Sequence, residues 1–152
     1  MNIFILDEDI TKIPLYLVDD HVKSTILEGT QMLSTVCNMC GLETKYKPTH
    51  KNHPCTLWTG TSLQNWVWLQ ELVRLTNEEY KYRFNHKWSH DSAIVARNLP
   101  IPDIPSYDRT KFVQNLPTRY KRSDPVNAYR AYYKGDKRHL FKWTNRDQPE
   151  WI

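Results

Sequence analysis

Twenty residues from His21 to Cys40 contain only two formal charges, Lys23 and Glu28, and no proline. A helix on the surface of a protein carries a charged face opposite its apolar one. This stretch has no such face, so it predicts a central, largely buried helix. Asp19 or Asp20 is placed to cap its start, and Gly41 to end it in a left-handed turn. At helical spacing, Val22, Ile26, Leu33, Val36 and Cys40 form an apolar stripe. His21, Ser24, Thr25, Glu28, Gln31 and Thr35 form a second, polar one. A lone carboxylate in such a helix is costly unless it is paired or used. Glu28 and His21 are therefore candidates for acid–base chemistry, with a satisfied core pair as the alternative.

The rest of the chain predicts a mostly α fold over residues 1–152. It is a single domain with a central buried helix, a second long helix and two shorter C-terminal helices. Met1 to Leu6 is apolar from the first residue and is expected to be buried, as a short strand or an extended segment. Pro48 and Pro54 argue for a loop carrying His50, His53 and Cys55. Thr61-x-x-Gln64 resembles a capping box before a helix from Ser62 to about Phe84, with Trp66, Leu69, Val73 and Tyr80 inward. A helix from Ser89 to Leu99 would start on a Ser89 cap. Four prolines then impose a loop, with one possible helical turn near Thr110 to Leu116. Pro125 suits the first turn of a last helix that stops at Gly135.

Charge is uneven. Residues 1–44 hold two basic and seven acidic side chains, and residues 45–152 hold nineteen basic and ten acidic, a net of +9. That imbalance suggests a face for phosphates, with nucleic acid as the expected partner. No run reaches transmembrane length, and charges by Asp7 do not fit a signal peptide. Three cysteines do not make a secreted disulfide framework, so a cytoplasmic location is expected and no membrane partner. Cys37, Cys40, His53 and Cys55 are residue types that suit zinc, but their spacing is not that of a finger or ribbon, and packed thiols are the favoured reading. No metal or other cofactor is expected.

Two further groups carry chemistry. Tyr129-Arg130-Ala131-Tyr132-Tyr133-Lys134 interleaves rings and cations, as stacking on bases and contact with phosphates require. At the other end, the bulk of Asn2 disfavours removal of Met1. A terminal α-amine, unlike a lysine, is partly neutral near physiological pH and is nucleophilic.

Together these segments resemble the endonuclease V type of phage pyrimidine-dimer DNA glycosylase, and also uncharacterised phage and large-virus proteins. Met1-Asn2-Ile3 aligns with that family's processed terminus. Asp19-Asp20-His21 with Glu28 is similar to its Asp-x-His and catalytic glutamate. Asn52-His53 and the following long helix look like its Gly-His segment. Ala128 to Gly135 resembles its Trp-Tyr-Lys-Tyr-Tyr-Gly motif. Where the family carries two arginines near the glutamate, this chain has Leu27 and Gln31. The resemblance implies an N-glycosylase acting on a base in DNA, with abasic-site lyase activity through an imine on the terminal amine. Met1, Glu28 and His21 would be catalytic, while Gln31, His53, Tyr129, Arg130, Tyr133 and Lys134 would bind substrate. The alternative is a non-catalytic nucleic-acid or nucleotide binding module of phage origin.

Overall fold

The charge-poor stretch forms α2, Asp19–Met39, and 13 of its 21 residues are buried. The computed structural model describes all 152 residues and contains five further helices: α1 (Ile13–Tyr16), α3 (Pro54–Thr61), α4 (Leu63–Arg83), α5 (Asp91–Arg97) and α6 (Pro125–Asp136). Single 3-10 turns lie at Thr118–Tyr120 and Arg138–Leu140. There are no strands, and the helices share one cluster of 26 buried apolar residues, so the chain is a single compact all-helical domain. No helix is long and apolar enough to cross a membrane.

The core is organised by α2 against α4, with α3 and α5 packed on both. Val22, Ile26 and Leu33 of α2 meet Trp66, Leu69, Leu72 and Val73 of α4 in the fully buried layer. Gly29 packs directly against Val73 and Leu69 of α4. A Cβ there would lie 2.6 Å from Val73 Cγ2, well inside contact distance. As expected, Gly41 ends the α2 segment in a left-handed conformation, φ +80°.

Several local details differ from expectation. Val18, not an aspartate, is the residue before α2. Asp19 instead turns inward to Arg83 and Thr144. Ser62, not Thr61, caps α4 by accepting the Asn65 N–H. Pro54 does not break the chain. It opens α3 at the first turn, where a missing N–H costs nothing, and His53 caps it. Cys55 is therefore helical. His90, not Ser89, caps α5. No helix forms over residues 110–116. Gly135 does not stop α6, which runs on to Asp136; a glycine is needed there because a Cβ would collide with the Tyr120 hydroxyl.

Ile3, Phe4, Ile5 and Leu6 are each less than 7% exposed, yet the segment pairs with no strand. Burying each such side chain contributes about 1.5–3 kcal/mol, which exceeds the roughly 1–2 kcal/mol that fixing each residue's backbone costs. The terminal segment is thus held by side-chain packing and by the polar clamps described below.

Replacing Gly29 with Ala adds a methyl to this contact. A helix-propensity gain of about 1 kcal/mol is outweighed by an overpacking cost of up to about 3 kcal/mol. The expected outcome is a fall in Tm of roughly 3–6 °C, measured by thermal unfolding. An unchanged or raised Tm would show that α2 and α4 are not this close.

Candidate active site

The polar start of the chain is tied down atom by atom. The Asn2 side-chain oxygen accepts the Ile3 N–H at 2.8 Å and the Tyr129 hydroxyl at 3.0 Å. Its amide donates to the Asn115 carbonyl at 2.8 Å. Asn115 answers by donating to the Met1 carbonyl at 3.2 Å. The Asn2 backbone N–H donates to Glu28 Oε2 at 3.1 Å. These bonds bring the Met1 α-amine to 3.8 Å from the same carboxylate oxygen. The Met1 side chain is only 5% exposed and packs on the core, so a long first residue does not crowd the amine. Glu28 keeps 27% of its side chain open.

Around this pair lies a cavity of about 300 Å³. Its polar lining comes from the Met1 amine, from His21, Ser24 and Glu28 of α2, and from Asn115, Tyr132 and Lys137. Roomier clefts exist, at 340 Å³ between α4 and α5 and 470 Å³ beside Arg109 and Asp124. In the first, Glu71 and Glu78 are already paired with Arg74 and Lys81; in the second, Asp124 caps α6. Neither brings a nucleophile beside an acid.

His21 stacks on Phe4 with ring centroids 4.1 Å apart, and its Nδ1 lies 2.6 Å from the Tyr133 hydroxyl. Burial, reinforced by the positive Lys137 and His139, pushes its pKa down to about 4, so the imidazole is neutral near pH 7. The buried Tyr133 hydroxyl has no other hydrogen-bond acceptor, so its proton goes to Nδ1. His21 then carries its own proton on Nε2, a neutral donor on the wall of the cavity.

The remaining candidates separate. His53 accepts the Cys55 N–H at Nδ1 and turns Nε2 toward Asn115, 3.4 Å away. Its pKa is lowered by burial, then by the Met1 ammonium and His50, with Glu28 opposing. It stands behind the terminus and does not line the cavity. Gln31 is half-buried one turn past Glu28, outside the cavity, and makes no side-chain hydrogen bond. Tyr129 and Tyr133 are fully buried, so neither is a platform for a base. Arg130 donates to the Leu6 carbonyl and pairs with Asp7 at 2.9 Å, so it holds the terminal segment instead of a phosphate. Lys134 is exposed, and it is Lys137, three residues on, that reaches the cavity rim.

Asn2, Asn115, Ser24, Tyr132 and Lys137 were not singled out from the sequence as site residues. Asn115 lies in a proline-rich loop with no motif. Lys137 follows Tyr133 by four residues, a helical spacing that does point to the same end of α6. The cysteines do not converge: Cys37 donates to the Pro100 carbonyl, while Cys55 lies beneath Asn2. Burial pushes both thiols up to about 11. No group of three or more His, Cys, Asp and Glu residues is placed to hold a metal ion.

No protein-family model, no curated protein and no solved structure matches this chain.

The depressed His21 pKa fixes a pH dependence. Between pH 6.5 and 4 the unfolded chain binds a proton that the native state does not, so stability falls as pH drops through that window. The contribution is on the order of 2–3 kcal/mol. His53 and His90, also lowered, act in the same direction. His21→Gln is expected to shrink, without abolishing, the slope of denaturant stability against pH from 6.5 to 4. An identical slope would mean that His21 is not neutral in the folded protein.

Proposed function

We propose that this protein is an N-glycosylase acting on a base in DNA, with an associated lyase activity. The observation that carries the reading is the Met1 amine held 3.8 Å from Glu28 in an open, polar cavity. Lys137 on the rim, which makes no ion pair, is available to a phosphate. The resemblance of the terminal, Glu28 and α6 segments to phage pyrimidine-dimer glycosylases supports the same reading.

In this mechanism the neutral amine attacks C1′ of the sugar. The C1′–N bond breaks, and the base leaves with its electron pair and takes up a proton. Glu28, aligned by the Asn2 N–H, stabilises the cationic sugar as the ring opens to an imine between C1′ and Met1. His21, a neutral donor, hydrogen-bonds a sugar oxygen without adding positive charge. Glu28 then removes a C2′ proton. The electron pair moves to form a C2′–C3′ double bond, and the 3′ phosphate departs. Water hydrolyses the imine and restores the amine.

Glu28→Gln keeps the shape and loses the base. Strand scission of a damaged or abasic-site duplex is expected to slow by at least about 10²-fold. Borohydride added during wild-type turnover is expected to leave DNA covalently attached to the protein. Scission by the Glu28→Gln variant at the wild-type rate would sink the mechanism. A binding module without catalysis is the second reading, favoured by Leu27, 42% exposed, and Gln31 standing where arginines would grip a lesion. Salt-dependent binding by wild type, with neither scission nor trapping, selects it.

A further inference from the structure

We infer that an unpaired strand of nucleic acid is held on a second surface, built from the turn after α4 and continuous with the catalytic cavity through α2. The inference rests on DNA being the substrate, as proposed above, and extends it to where the strand runs. Trp88 is the most exposed large apolar side chain of the protein, at 75%. Single exposed apolar residues are ordinary; the setting of this one is not. The Lys87 ammonium lies 5.2 Å from the Trp88 ring centroid. His86, two residues before Trp88, stacks on Tyr80 with centroids 4.6 Å apart. From Lys81 to His90 there is no carboxylate; Arg83 is interior and Lys81 is paired with Glu78, so the exposed basic side chains beside Trp88 are His86 and Lys87.

The turn presents Trp88 in a fixed position. Asn85 adopts a left-handed conformation, φ +53°, and the His86 N–H closes onto the Lys81 carbonyl at 2.9 Å. On the far side the Asn77 side chain accepts the His90 N–H at 2.9 Å and donates to the Ser89 hydroxyl at 3.0 Å. The indole is therefore exposed although the backbone on both sides of it is anchored. The link to the site is Lys23. It is exposed on α2, its ammonium 4.8 Å from the Phe84 ring centroid, and its neighbour Ser24 lines the cavity. Lys23 precedes Glu28 by five residues, about 7.5 Å along the helix.

Cations beside an exposed ring face are what an unpaired strand requires: phosphates on Lys23 and Lys87, and a base stacked on Trp88. A paired base has no free face to offer the indole. This assigns base stacking to Trp88, not to the tyrosines of α6, two of which are interior.

The test compares binding of a fluorescein-labelled oligo(dT) single strand and of a blunt duplex to wild type, Trp88→Ala and Trp88→Phe, by anisotropy at fixed salt. Trp88→Ala is expected to weaken single-strand binding roughly tenfold, to leave duplex binding and the far-UV spectrum unchanged, and to be rescued in part by Trp88→Phe. Single-strand affinity unchanged in Trp88→Ala, an equal loss on both ligands, or no single-strand binding by wild type overturns the inference. If Trp88→Ala loses binding while wild type never cuts DNA, the platform stands and the glycosylase reading falls. If wild type cuts and Trp88→Ala binds normally, the reverse holds.

Discussion

The site depends on how one residue, Asn2, is held. Its amide meets Asn115, its oxygen meets Tyr129 and its own neighbour's N–H, and its backbone N–H meets Glu28. A chain terminus is normally the loosest part of a fold. Here the four apolar residues that follow Asn2 anchor it in the core, and Asn2 sets its direction. The consequence is electrostatic. An amine and a carboxylate are held at 3.8 Å, too far for a direct hydrogen bond, with open space beside them. That arrangement leaves both groups free to act on a third.

A second polar assembly, at the C-terminal end of α4, fixes the frame on which the site stands. Arg83 is completely buried and donates to the carbonyls of Pro14, Leu15 and Leu17 while pairing with Asp19 and Glu79. Glu79 is also held by Arg146, and Asp19 by Thr144. One guanidinium thus caps α1 and holds the start of α2, and its two carboxylate partners bind Thr144 and Arg146 of the C-terminal tail. Removing one partner of such a buried network costs about 3–5 kcal/mol, because the others are left unpaired. The start of α2 is therefore rigid, and His21 and Glu28 inherit their orientation from it.

The sequence carried the long helices plainly, because helical periodicity and scarcity of charge are local signals. Glu28 and Met1 were visible for a related reason: each is chemically odd where it stands. The rest depended on distance along the chain. Tyr129, Arg130 and Tyr133 look like a surface motif until their partners are known, and those partners, Asn2, Leu6, Asp7 and His21, lie more than 100 residues away. Asn115 had no local mark at all. Pro54 misled in another way. Proline interrupts a helix and also starts one, and the deciding fact was the His53 ring turning back to cap the Cys55 N–H.

The central claim is that the Met1 amine, not a side chain, is the reacting group. The most direct measurement compares abasic-site strand scission by protein with a free Met1 amine and by the same protein carrying an N-acetyl group there. Acetylation delocalises the nitrogen lone pair into an amide, so it is no longer nucleophilic, and changes neither the Glu28 nor the His21 side chain. The account predicts scission by the free protein and loss of both scission and borohydride trapping in the acetylated one. An acetylated protein that cuts at the same rate would contradict it.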